Sequence, residues 1–228
     1  MTNLVLATVL GAVISYLLGG FPSGVVIGKG IYGIDVREHG SCNMGMTNTI
    51  RVLGIKPGLA VAAIDVLKGC AGVLVMRALL IHVAPALDGN VHDLLLVIAA
   101  LAAVLGHVKS PYLHFSGGKG AATAFGVLVV LMPWPALVVL AVFLAVALGT
   151  KIVSLATLSA AVALVVSTPL LMPGHPVLLG FSVIVLVIIF AAHRSNIARL
   201  RNHSEKRLTM GHAKTKHQRE KESTREGE

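Results

Sequence analysis

Long uncharged apolar runs alternate with short polar, glycine-bearing segments through most of the chain. Leu4 to Ile27 carries no charge, and Leu59 to Leu80 is interrupted by Asp65 and Lys68. Val91 to Val108 has His92 and Asp93 at one end. Ala121 to Leu131 and Ala136 to Thr150 are shorter, separated by Pro133-Trp134-Pro135, and Ile152 to Leu171 and Pro176 to Ala192 complete the set. Crossing a bilayer takes about 20 apolar residues, fewer where the ends snorkel or the bilayer thins. The pattern therefore predicts an all-α integral membrane protein of about seven transmembrane helices. Two prolines flanking a Trp predict a turn at the interface between the two short runs, not one kinked helix.

Composition agrees. Of 228 residues, 55% are hydrophobic and only 13% charged, with a mean hydropathy of +0.84, far from a soluble domain of this size. No Lys or Arg precedes the first run and no small-residue cleavage site ends it, so that run is expected to be retained as a span. The cations then orient the chain. Counting back through seven spans from a cytoplasmic tail leaves the N-terminus outside. The inner segments hold Lys29, Arg37, Arg51, Lys56, Lys109, Lys119 and Lys151, while the outer segments hold no Lys or Arg. Arg77, near the outer end of the second span, is placed to snorkel. The reading is a multi-pass protein of the inner or plasma membrane: one transmembrane domain over residues 1–205 and a basic, polar cytoplasmic tail over 206–228, expected to be disordered.

Of the 19 Lys and Arg behind the net charge of +9, ten lie from Arg194 onward, seven of them in that tail, and face five acids. Its lack of interleaved aromatics excludes nucleic-acid binding and leaves contact with anionic membrane lipids. Cys42 and Cys70 lack metal-ligand spacing and fall at the reducing side, which argues against a disulfide.

Three basic, glycine-bearing segments share the inner face: Gly28 to Arg51, Gly106 to Gly120 and His193 to Glu205. Backbone amides exposed by glycine and backed by Lys or Arg suit phosphate. In the first, Thr47 or Asn48 is expected to cap a helix and free its first amides for an anion, with Arg51 one turn on and Ser41 and Arg37 nearby. The second reads Ser116-Gly117-Gly118-Lys119-Gly120. It is not an ATP-binding P-loop, because Lys119 is followed by Gly120 and no Gly stands at Leu113. It is an amide nest around a lysine. In the third, His193 and Asn196 share a helical face, one able to exchange a proton and the other to orient a hydroxyl or phosphate oxygen. Ser154, one turn past Lys151, is placed to donate to a bound phosphate or to its own helix backbone. Asp65 and Lys68, spaced i and i+3, are expected to pair. No tight His or Cys pair supports a zinc site, and neither a metal nor a cofactor is expected.

These segments resemble the bacterial acyl-phosphate:glycerol-3-phosphate acyltransferases of the integral-membrane type, over nearly the whole chain to about Glu205. The resemblance is carried by Phe21-Pro22-Ser23-Gly24, by Asp35 through Asn48 with Arg51-Val-Leu-Gly54, and by Asp65-Val-Leu-Lys68-Gly69. Gly106-His107, Phe115-x-Gly117-Gly118-Lys119-Gly120-x-Ala-Thr123, Val153-Ser154-Leu155 and His193-Arg194-x-Asn196-Ile197-x-Arg199-Leu200 complete it. Four places depart from the family pattern. Cys42 replaces a Gly and Ser116 a Lys, Lys109-Ser110-Pro111 disturbs a Phe-Pro, and Asn202-His203-Ser204-Glu205 replaces Asn-Gly-Thr-Glu.

The resemblance implies transfer of a fatty acyl group from acyl phosphate to the 1-hydroxyl of glycerol 3-phosphate, releasing lysophosphatidic acid and phosphate, an early step of phospholipid biosynthesis. His193 and Asn196 would be the catalytic pair. Arg51, Asn48, Thr47, Lys119, Gly117, Gly118, Gly120, Ser154, Ser41 and Arg37 would bind phosphate and substrate. No histidine here has an Asp five positions later, which sets the chain apart from the acyltransferases that use that pair. The competing reading is a transporter or flippase for a phosphorylated solute, which inverted repeats and polar residues across the midplane would favour.

Overall fold

The computed structural model describes residues 2–208. Among these there are ten α-helices and no strand: α1 (Thr2–Gly20), α2 (Ser23–Ile27), α3 (Met46–Leu53), α4 (Ile55–Val83), α5 (Gly89–Val108), α6 (Ala121–Leu131), α7 (Pro133–Thr150), α8 (Val153–Leu171), α9 (Pro176–Ala192) and α10 (Arg194–Arg201). Five helices are long and apolar enough to cross a membrane, or six if α9 and α10, bent by 66° at their junction, form one span. Large aliphatic side chains on these helices point outward, among them Leu148, Leu170 and Leu6. In a membrane protein that is the lipid-facing surface. The expected tail lies almost entirely outside the described residues.

Three boundaries depart from the hydropathy reading. The first run, Leu4 to Ile27, is not one helix: α1 stops at Gly20 and α2 starts at Ser23. Pro22 has no N–H to continue the ladder, and its ring disfavours a helical conformation at Phe21. The second begins earlier than expected, at Ile55, because Pro57 falls in the first turn, where its missing N–H needs no partner. The break between the two short runs is at Met132, and both prolines belong to the first turn of α7 for the same reason. α6 has eleven residues, which at 1.5 Å each is about 16 Å, half of a hydrocarbon core of about 30 Å.

The described chain forms two compact units, one holding residues 2–21 and 65–207, the other residues 22–64. In the larger unit α1 packs on α5, α7 on α8, and α9 on α5 and α8. The close crossings rest on glycine. A Cβ at Gly19 would run into the carbonyl of Ala103, and one at Gly126 into the carbonyl of Val66, so α1 lies against α5 and α6 against α4 with backbones in contact. Val73, Met76, Ala99, Val104, Val127, Leu164 and Phe181 fill the resulting core. The smaller unit folds the first basic segment around buried Val36, Met44, Ile50 and Leu53, and α3 meets the start of α4 where Ile50 fills the space a side chain at Gly58 would need.

Candidate active site

In the larger unit, Gly117 to Gly120 lead into α6, and Gly120 has φ +80° at its N-cap, a conformation that favours glycine. Lys119 leaves this turn and its Nζ donates to Asn196 Oδ1 at 2.5 Å. Asn196 Nδ2 donates onward to Glu205 Oε1 at 2.6 Å. The same oxygen accepts from Ser154 Oγ at 2.8 Å, and Glu205 Oε2 accepts from Arg199 Nε at 2.6 Å. The structure thus joins Lys119, Asn196 and Ser154, three residues far apart in sequence, through one carboxylate. Ser154 gives its proton to Glu205, not to its own helix backbone.

Glu205, which joins these side chains, was not among the site residues expected from the sequence, although it closes the Asn202-His203-Ser204-Glu205 motif. Its signal was faint: the first acid in a run that is otherwise cationic from Arg194 to Arg207. Burial pushes its carboxyl up, but hydrogen bonds from Asn196, Arg199 and Ser154 outweigh that and hold it below the usual carboxylate range.

His193 sits at the bend between α9 and α10, 3% exposed, three residues before the equally buried Asn196. Arg194 beside it is exposed, as the helical spacing requires. The His193 Nδ1 lies 2.8 Å from the carbonyl oxygen of Ile189. A carbonyl only accepts, so Nδ1 carries a proton, and in the neutral ring Nε2 keeps its lone pair.

The smaller unit holds the remaining candidates. Here the capping expectation is corrected: α3 begins at Met46 with Gly45 at the N-cap, and Thr47 and Asn48 lie inside its first turn. Asn48, 1% exposed, organises the loop instead. Its Nδ2 donates to the carbonyls of Val36, Asn43 and His39 at 2.7, 2.8 and 3.1 Å, and its Oδ1 accepts from the Ser41 N–H at 2.7 Å. Asn48 and Ser41 are therefore brought together, with the Asn side chain occupied by backbone. Thr47 is half-buried on α3, and Arg51 lies in its last turn.

Arg37 is bound to Asp35: Nη2 to Oδ2 at 2.6 Å and Nε to Oδ1 at 3.0 Å, while Lys29 Nζ reaches the same carboxylate at 3.0 Å. The Arg37 hydrogen bond, ahead of that from Lys29, holds the Asp35 carboxyl well below its usual range. Cys42, exposed in this loop, has φ +55°, the backbone for which the family pattern uses glycine.

Each unit thus presents a glycine-bearing loop with a buried amide side chain and basic groups, the equipment for anionic oxygens. The glycerol-3-phosphate acyltransferase family profile matches residues 9–203. A glycerol-3-phosphate acyltransferase of Synechocystis sp. is 42% identical over 209 residues, covering 91% of this chain and 94% of the relative. One of Thermus thermophilus is 41% identical over 203 residues, covering 89% and 96%. Among solved structures, PlsY (YgiH), an integral membrane glycerol 3-phosphate acyltransferase in its glycerol 3-phosphate form, superposes with a TM-score of 0.78 at 32% identity, covering 89% of this chain and 96% of that one. Its lysophosphatidic acid form gives 0.73 at 30% identity, covering 88% and 94%. The apolar helices and the ordered motifs agree with these matches: this multi-pass membrane chain belongs to the glycerol-3-phosphate acyltransferase family, of the integral-membrane, PlsY type.

Proposed function

We propose that the protein transfers a fatty acyl group from acyl phosphate to the 1-hydroxyl of glycerol 3-phosphate, giving lysophosphatidic acid and inorganic phosphate. The observation that carries this reading is the chain of contacts from Lys119 through Asn196 to Glu205, with Ser154 on the same carboxylate, beside a glycine turn. Lys119 and the amides of Gly117 and Gly120 hold phosphate in the larger unit, while the Gly118 N–H donates to the His107 carbonyl and fixes the turn. Arg51, with Thr47, Ser41 and Arg37, supplies phosphate-binding groups in the smaller one, whose loop Asn48 holds in shape.

The hydroxyl oxygen attacks the acyl carbon, the bond from that carbon to the phosphate oxygen breaks, and phosphate leaves with its electron pair. A mixed anhydride already has a good leaving group, so positioning and charge stabilisation supply most of the catalysis. Asn196 orients the hydroxyl, and its proton passes to His193 Nε2 or to a phosphoryl oxygen of the donor. His193→Gln separates these routes: it keeps hydrogen-bonding capacity without a base, so near-normal turnover assigns the proton to the donor phosphate.

The chemistry is placed at the cytoplasmic face of the inner or plasma membrane, with seven crossings, the N-terminus outside and the C-terminus inside. The one-sided distribution of Lys and Arg supports this, and α6 is the short crossing, made where the bilayer thins. The test is purified protein in vesicles given acyl phosphate and radiolabelled glycerol 3-phosphate. Label appearing in an extractable lipid supports the enzyme. Label accumulating in the lumen unchanged identifies a carrier and overturns the reading.

A further inference from the structure

The turn that carries Lys119 is moulded on one residue the reaction above does not use. His107, in the last turn of α5, is 3% exposed. Its carbonyl accepts the Gly118 N–H at 3.0 Å. A Cβ at Gly117 would run into that carbonyl oxygen, and a Cβ at Gly118 would run into Nε2 of the imidazole. Two consecutive glycines are thus required by the backbone and the ring of the same histidine, immediately before Lys119.

The ring is held from its other edge. Nδ1 lies 3.2 Å from Thr123 Oγ1, in the first turn of α6, and 3.6 Å from Asp65 Oδ1 on α4. Asp65 in turn takes Lys68 Nζ at 2.8 Å, and that ammonium also donates to the Phe21 carbonyl at 2.8 Å, where the first helix ends. The Asp65–Lys68 pair expected from sequence exists and acts as an anchor reaching α1 and the imidazole. α4 lies against Thr123 as well, since a Cβ at Gly69 would run into its backbone oxygen. The histidine is clamped by α4 and α6, and its free edge is the surface under the glycine turn. A phenyl ring would match its flatness but leave the Thr123 hydroxyl and Asp65 facing carbon.

We propose that His107 is a positioning residue for acyl transfer: its carbonyl and imidazole set the path of Gly117 to Lys119, and so the point at which Lys119 meets the substrate phosphate. The inference rests on the reading of Lys119 as a phosphate-binding group. It commits to a steric relationship that a general stabilising role does not contain. His107→Asn keeps a polar atom near the place of Nδ1, for Thr123 and Asp65, and removes the Nε2 edge beneath Gly118. Gly118→Ala adds a methyl where that edge lies. Each change alone shifts the turn, and misplacement by about 1 Å costs on the order of 10²-fold. Together the methyl enters the vacated space.

The experiment compares wild type, His107→Asn, Gly118→Ala and the double variant in nanodiscs, reading KM for glycerol 3-phosphate and acyl phosphate, kcat, and the unfolding midpoint. The expected result is a KM for at least one substrate raised about tenfold in His107→Asn at a near-wild-type midpoint, about a hundredfold loss of kcat/KM in Gly118→Ala, and at least tenfold recovery in the double variant over Gly118→Ala. A His107→Asn enzyme with KM within twofold of wild type, or a double variant no better than Gly118→Ala, overturns the proposal. Lys119→Ala run alongside separates the two failures: if it is inactive while His107→Asn is unchanged, only the role of His107 falls, and if it is active, the phosphate-site reading falls.

Discussion

Removing the Glu205 carboxylate tests the site at its hub. Glu205→Ala deletes three charge-assisted hydrogen bonds, to Asn196 and Arg199 at 2.6 Å and to Ser154 at 2.8 Å, from a side chain only 6% exposed. Bonds to a charged group are worth about 1.5–3 kcal/mol each. The three are not equal. Arg199 is 41% exposed and screened by water, so its share is about 0.5 kcal/mol. Ser154 regains part of its loss by turning to its own helix backbone, which leaves about 1 kcal/mol. Asn196 has no such alternative on its Glu205 side, and contributes about 2 kcal/mol. The loss is then about 3.5 kcal/mol, or about two and a half orders of magnitude at 1.4 kcal/mol per factor of ten, if Asn196 and Lys119 are held in place by it. The assay is kcat/KM for acyl transfer to radiolabelled glycerol 3-phosphate, with size-exclusion elution and the unfolding midpoint measured on the same preparation. Glu205→Gln refines it, since its carbonyl oxygen still accepts from Asn196 while its amide opposes Arg199. It should retain several-fold more activity than Glu205→Ala. A folded Glu205→Ala enzyme within threefold of wild type would refute the idea that this carboxylate organises the site.

Lys119→Ala and Arg51→Ala should each abolish turnover in protein of normal elution profile, and near-normal rates in either would remove that residue from the site. Asn48→Asp should be more damaging than its size suggests, because a carboxylate would face the carbonyls of Val36, His39 and Asn43 that now accept from the amide. Loss of most activity with a lowered midpoint is expected, and an unchanged protein contradicts the role given to Asn48. On acidification, Asp35 and Glu205 act in the same direction. Both carboxyls are held below their ordinary values in the fold, so their stabilisation is complete above about pH 5 and is lost as pH falls through the folded values. The midpoint should therefore drop on the acid side, less steeply in Glu205→Gln, and a flat acid limb would contradict the two networks.

Hydropathy located most membrane helices because the bilayer imposes the same demand at every position of a span: apolar side chains and internally satisfied backbone. It failed at Pro22, where the side-chain pattern continues but the backbone ladder cannot. Residue type also singled out most of the side chains that the fold joins or buries at the candidate site. Lys119, Asn196, Ser154 and His193 were recognised from charge, glycine context and helical spacing, and the ion pair of Asp65 and Lys68 from their separation. What the linear pattern could not carry was the identity of each partner. Ser154 meets a residue 51 positions away and Lys119 one 77 positions away.

The glutamate that joins them was hidden for a physical reason. Sequence arguments look for the groups that touch an anionic substrate, and such groups are cations and N–H donors. A carboxylate near a phosphate site opposes binding if it points at the ligand, so it reads as solvent-facing or irrelevant. Behind the donors it does the opposite: it accepts from Asn196, Arg199 and Ser154, fixing which way the Asn196 amide faces and therefore which atom is left to receive Lys119. The same logic applies to Asp35 behind Arg37 and Lys29. In both units a buried acid sits one layer behind the cations, so neutralising either acid should disorder the basic groups it holds, although neither acid is placed to contact phosphate. An Asp35→Asn variant that raises KM for a phosphate-bearing substrate, despite bringing a less negative charge to the loop, would show positioning outweighing net charge, and a lowered KM would show the reverse.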